Sequence, residues 1–224
     1  MHISYWIIGG NLMYKKTNVA MDHFRDHAVV YVFMTILFLI GIIFGAIIVN
    51  SMNFVQKQDL FFYLERFFGQ ILDGTAINNQ ELLKQSFFYQ LKYLLLFFIL
   101  GLSIIGLPIV WILVFIKGLV VGFSVGFFVN QMGWQGLLVA AASIAPQNLI
   151  IIPVYILAGS MAMIFSLTLL GKLFSRRMNQ PLLQPFLQYS LVFIMLIVSV
   201  GVGAVLESLV SNQAMQVVIK WLYN

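Results

Sequence analysis

One lysine, Lys117, falls about midway along an apolar run reaching from about Pro108 to Asn130. An ammonium in such a run is costly unless it snorkels to an interface, meets a polar partner or lines a wet cavity. Lys117 is therefore a functional intramembrane cation or, if the run is displaced by several residues, an anchor. Polar chemistry enters apolar sequence a second time at Pro146-Gln147-Asn148, with Pro153 following. Irregular backbone at membrane depth survives only where protein or water satisfies its amides. Gln147 and Asn148 can supply those hydrogen bonds, so Pro146, Gln147 and Asn148 join Lys117 as the candidate intramembrane polar residues. Simple satisfaction of the broken helix is the blander reading of the same three.

The rest of the reactive inventory is thin. With no cysteine there is no disulfide, thiolate or cysteine metal site. His2, His23 and His27 all precede the first long apolar run, and no HExxH pair occurs. Asp59, Glu65, Asp73 and Glu81, between the first and second runs, read as the solvated sides of helices. The expectation is a protein with no catalytic residue, cofactor or metal: a non-catalytic membrane scaffold. The competing class is a small-solute or ion transporter or channel component, favoured by Lys117, the Pro146 break and Glu207 near the end of the last apolar run. A continuous polar cavity reaching Lys117 would argue for transport, and a dry bundle with its exposed surface in the 51–86 loop for scaffolding.

Composition dictates what must hold these residues. Apolar residues make up 62% of the chain and charged residues 8%, with a mean hydropathy of +0.99; soluble domains carry about 25% charged residues. A net charge of +5 without a basic stripe makes nucleic acid an unlikely partner. A span needs about 20 apolar residues. The candidate runs are Ala28 to Asn50, then about Phe87 to Ile105, Pro108 to Asn130, Leu149 to Gly171 and Leu182 to Leu206. The predicted fold is an all-α polytopic integral membrane protein, one domain over 1–224, with about five transmembrane helices. Residues 133–148 are too short for a crossing and predict a re-entrant or interfacial half-helix, and Gly106-Leu107-Pro108 predicts a tight hairpin. The first run reads as a retained signal anchor. Residues 1–12 read either as a functional arm or as upstream of a start at Met13 or Met21.

Basic residues bias a segment to the cytoplasm. Lys15, Lys16 and Arg25 precede the first run, and Lys172, Arg176 and Arg177 separate the last two. Five crossings place both groups inside, with 1–27 cytoplasmic, 51–86 an extracytoplasmic loop and the C-terminus outside. Within that loop Leu60, Leu64, Phe67, Phe68 and Ile71 repeat at helical spacing beside Phe61, opposite Asp59, Glu65, Arg66 and Gln70. Such a pattern predicts an amphipathic interfacial helix. Leu60, Phe61, Leu64, Phe67, Phe68 and Ile71 are its candidate partner-binding face, the alternative being a helix that merely covers the spans. Asn78-Asn79-Gln80-Glu81 reads as a capping box opening the next helix. Gly41 with Gly45, and Gly118, Gly122 and Gly126, repeat every four residues and predict close helix approach, within the chain or across a homodimer seam.

Several of these segments carry a family resemblance. Phe44-Gly-Ala-Ile-Ile-Val-Asn50, Asp59-Leu-Phe-Phe-Tyr-Leu, Phe67-Phe-Gly69 and the Pro146-x6-Pro153 element with Ala158-Gly159 resemble the stage II sporulation protein M family, from about Lys15 onward. In the wider family the proline element usually reads Pro-His-Gly-x-x-Glu-x-Pro. Here Gln147 stands at the His position, Asn148 at the Gly and Ile151 at the Glu, so the ionisable pair is absent. The resemblance implies an endospore-forming bacterium and the mother-cell membrane of the sporulation septum. It also implies a role in engulfment, with stage II sporulation proteins D and P, which degrade peptidoglycan, as partners alongside membrane lipids.

Overall fold

The computed structural model describes residues 24–72, 79–174 and 183–207. Among them the long elements are all helices: α1 (Ala28–Ser51), α2 (Phe54–Leu72), α3 (Asn79–Gly101), α4 (Gly106–Ser143), α5 (Ala145–Phe174) and α6 (Leu183–Leu206). Four, namely α1, α4, α5 and α6, are long and apolar enough to cross a membrane. The helix at the expected second span, α3, is a fifth long helix that is not among them. Lys84, Gln85, Gln90 and Lys92 dilute its apolarity, and its buried polar side chains, Ser86 and Gln90, face the bundle.

Side-chain pairs set the helix directions. Gly41 and Gly45 oppose Gly118 and Leu119, so α1 and α4 are parallel. Tyr155 meets Gln90 and Ser166 meets Ser103, so α3 and α5 are parallel. Val114 packs on Gly159 and Lys117 on Tyr155, while Ser86 pairs with Glu207 and the Phe97 carbonyl with Tyr189, which makes α4 and α6 antiparallel to that couple. Alternation of five long helices follows. Half of the α5 span is buried, against 22–33% in the other three, so α5 is the central helix. Met34, Phe97, Val114, Ala158 and Val200 form the core around it. Outward positions remain apolar, among them Ile43, Ile47, Ile194, Met195 and Val198, a pattern suited to lipid rather than water.

Each turn has a local cause. Met52 is extended at the end of α1, and the Asn53 N–H donates to Gln56 Oε1 at 3.1 Å, capping the start of α2. Gly106 closes the α3–α4 hairpin because any side chain there would run into Leu100. Inside α4, Gly133 has φ 57° and ψ −131°, a left-handed excursion open mainly to glycine. A Cβ on Gly136 would collide with the Phe128 carbonyl, although eight helical residues normally separate positions by about 12 Å. The chain therefore doubles back at Gly133. The limb from Trp134 to Ser143 then hands over to α5: the Ile144 N–H donates to the Ala140 carbonyl at 2.8 Å, and the Asn148 N–H to the Ile144 carbonyl at 3.2 Å. The half-helix expected at 133–148 is thus the returning limb of α4 beyond Gly133 together with the first turn of α5. Asp73, expected on the solvated side of a helix, and Asn78, expected at the cap before α3, lie outside the described residues.

Candidate functional site

Polar side chains from α3, α5 and the end of α6 meet at the end of the bundle where α3 begins and α6 ends. Gln147 Nε2 donates to Glu207 Oε2 at 2.6 Å and approaches Ser86 Oγ at 3.1 Å, while the Ser86 hydroxyl donates to the same Glu207 oxygen. Burial pushes the Glu207 carboxyl, just beyond α6, above its ordinary pKa, and the Ser86 hydrogen bond pulls the other way. At the adjoining position Asn148 Nδ2 donates to the Ile144 carbonyl at 2.9 Å, a second bond to the acceptor that already takes the Asn148 N–H.

Below this layer Lys117 occupies an aromatic cage. Its Nζ stands 4.4 Å from the ring centres of Tyr93 and Tyr155 and 4.9 Å from that of Tyr89. Ring faces stabilise a desolvated cation by up to about 2 kcal/mol apiece without neutralising it. The Tyr155 hydroxyl donates to Gln90 Oε1 at 2.7 Å, fixing one wall of the cage. Between cage and outer layer lies a cavity of about 170 Å³. Gln90, Lys117, Ser124, Gln147 and Asn148 are its hydrogen-bonding walls besides the tyrosines, with Phe38 and Ile151 among the apolar ones.

Lys117, Gln147 and Asn148 thus share one cavity, while Pro146 lies in the first turn of α5 and is not one of its walls. The cage was missed at sequence level. Ser86, Tyr89, Gln90 and Tyr93 repeat at helical spacing on α3, so a polar face entering an apolar helix was the available signal. Ser124 also stands in the string Gly122-Phe123-Ser124-Val125-Gly126, the spacing of a hydrolase nucleophile elbow. That motif works on a strained strand-to-helix turn. Here it lies within α4, and Gly122 packs on the α1 backbone at Ile42.

The remaining candidates are placed elsewhere. Gly41, Gly45, Gly118 and Gly122 interlock within the chain: side chains added there would collide with the backbones of Phe115, Leu119, Phe38 and Ile42, and Gly126 rests against Ala46. On α2, Leu60, Phe61 and Leu64 are half-buried on one face with Lys57, whereas Phe54, Val55, Phe62 and Tyr63 are exposed. The side chains of Phe67, Phe68 and Ile71 lie outside the described residues. Among the described residues α2 has few close approaches to the other helices.

Fold and site define an α-helical polytopic membrane protein with a caged cation and a polar cavity between its helices. Residues 34–212 match the family model described as stage II sporulation protein M, which takes in most of the chain and every long helix except the first six residues of α1. The protein belongs to that family and is a sporulation-related membrane protein. No curated protein and no solved structure matches it.

Proposed function

We propose that the protein is a non-catalytic scaffold of the engulfment machinery, holding peptidoglycan-degrading partners, stage II sporulation proteins D and P, at the mother-cell face of the sporulation septum. The observation that supports this reading is α2. It is a 19-residue amphipathic helix that stands off the bundle and leaves Phe54, Val55, Phe62 and Tyr63 uncovered. Exposed aromatics on a rigid helix are effective docking anchors because they bury large areas while losing little rotamer freedom. Phe62→Asp combined with Tyr63→Asp should leave insertion and membrane level unchanged, abolish co-purification of the two partners and arrest engulfment. Normal engulfment in the double variant would remove α2 from the mechanism.

A second reading, solute or ion transport, draws on the cavity that reaches Lys117. Lys117→Met separates the two. A scaffold should tolerate the change at matched protein levels, whereas a transport path would lose its one charged wall and the strain would fail to sporulate.

A further inference from the structure

Lys117 is the one charged residue among the described residues lining the cavity. The carboxylate of Glu207 is not one of the walls, and its Oε2 accepts from Ser86 and Gln147. The tyrosine faces hold the ammonium in place but leave its charge uncompensated, and the other polar walls, Gln90, Ser124 and Asn148, carry neutral donors. A positive charge facing a partly water-excluded cavity of mixed polar and apolar walls gains from an anion, because attraction strengthens as water is excluded.

Size and access narrow the ligand. At about 30 Å³ per water, the 170 Å³ cavity has room for roughly five waters, enough for a tetrahedral oxyanion and well below the ~300 Å³ at which drug-sized pockets begin. Two of its walls, Tyr89 and Val120, are 51% and 52% exposed, so the space opens on the flank between α3 and α4. Gln147 and Tyr155 are eight residues apart on α5, which puts the cage about 12 Å inward from the Glu207 layer. We propose that this cavity binds a phosphate-type oxyanion on the Lys117 ammonium. A negatively charged phospholipid headgroup entering through the flank and inorganic phosphate from water share that chemistry. The assignment is independent of the scaffold reading, since it uses no part of α2.

The test follows thermal unfolding of the purified full-length chain in neutral detergent during titration with phosphatidylglycerol and, separately, with potassium phosphate, against potassium chloride at equal ionic strength. Ligand that binds the folded state raises the unfolding temperature by mass action. The expected result is a saturable rise with one of the two probes, which identifies the source, and little response to chloride. Lys117→Gln should weaken that probe by about tenfold or more, and Lys117→Arg should restore most of the response. Ser124→Leu, which fills the cavity and keeps the lysine, should also abolish it. No saturable rise in the wild type overturns the assignment. So does an equal rise in Lys117→Gln, or a chloride response matching that to phosphate. Should Lys117→Gln fail to fold, the Ser124→Leu comparison decides alone: an undiminished rise there overturns the site.

Discussion

At the scale of single residues, Glu207 shows how a carboxyl at the margin of an apolar bundle is accommodated. Both donors that reach it, from Ser86 and Gln147, converge on one oxygen, Oε2. An amide oxygen could accept the same two bonds. Burial raises the Glu207 pKa on folding, so the protonated form favours the folded state. Its stabilising contribution is complete below the unfolded carboxyl pKa and is lost as pH rises through the folded value. Thermal unfolding followed from about pH 4 to about pH 8 should therefore show wild type losing ground to Glu207→Gln as pH rises. Parallel curves for the two proteins would mean that Glu207 does not titrate against folding. Lys117 and Glu207 were both visible in the sequence as charges in or beside apolar runs. Their surroundings were not: the cage tyrosines come from α3 and α5, separated in sequence by more than sixty residues.

At the scale of elements, the α1–α4 pair is the most extensive helix contact among the described residues. Small residues permit it because the backbones touch: Gly118 faces Phe38, and Gly122 faces Ile42. Gly122→Leu should force the helices apart and lower stability by about 1–3 kcal/mol through overpacking, measured by denaturant or thermal unfolding in detergent. Gly171→Ala is the matched control. Nothing stands within 4 Å of a Cβ there, and an added methyl should cost nothing, with up to about 1 kcal/mol gained in helix propensity. Equal losses in both variants would show that close packing at Gly122 is not what holds α1 to α4. The four-residue glycine spacing was readable in one dimension. Its partner was not, because the same stripe serves a contact within the chain or between copies until the opposite helix is known. The Gly133 reversal was hidden for another reason: neighbouring apolar residues suit either limb, and only the backbone reveals a positive φ.

For the whole molecule, five alternating long helices set α2, the start of α3 and the end of α6 at one end of the bundle, with the α3–α4 hairpin towards the other. Combined with the basic residues before α1 and after α5, this order supports a proposed orientation in which α2 faces the extracytoplasmic side. The chain has no cysteine, so single substitutions report without background. Gln58→Cys on α2 should react with an impermeant thiol reagent in intact cells, and Phe174→Cys, 80% exposed at the end of α5, should react only after the membrane is breached. The reverse pattern would invert the topology and move α2 away from the peptidoglycan.

The sequence by itself determined the membrane class, the all-helical fold, most helix bounds to within a few residues and the family. Each rests on one-dimensional quantities: apolar run length, helical period, and residue strings such as those around Phe44 and Asp59. It also marked Lys117, Gln147 and Asn148, because a polar residue in apolar surroundings stands out wherever the chain goes. The tertiary structure alone decided that these three share a cavity, that Tyr89, Tyr93 and Tyr155 cage the lysine, and that Glu207 closes onto Ser86 and Gln147. Tyrosine in an apolar helix serves equally as core, lipid anchor or cation face, and its role is settled by which neighbour packs against the ring. That neighbour is a property of helix direction and register, which apolar periodicity leaves undetermined.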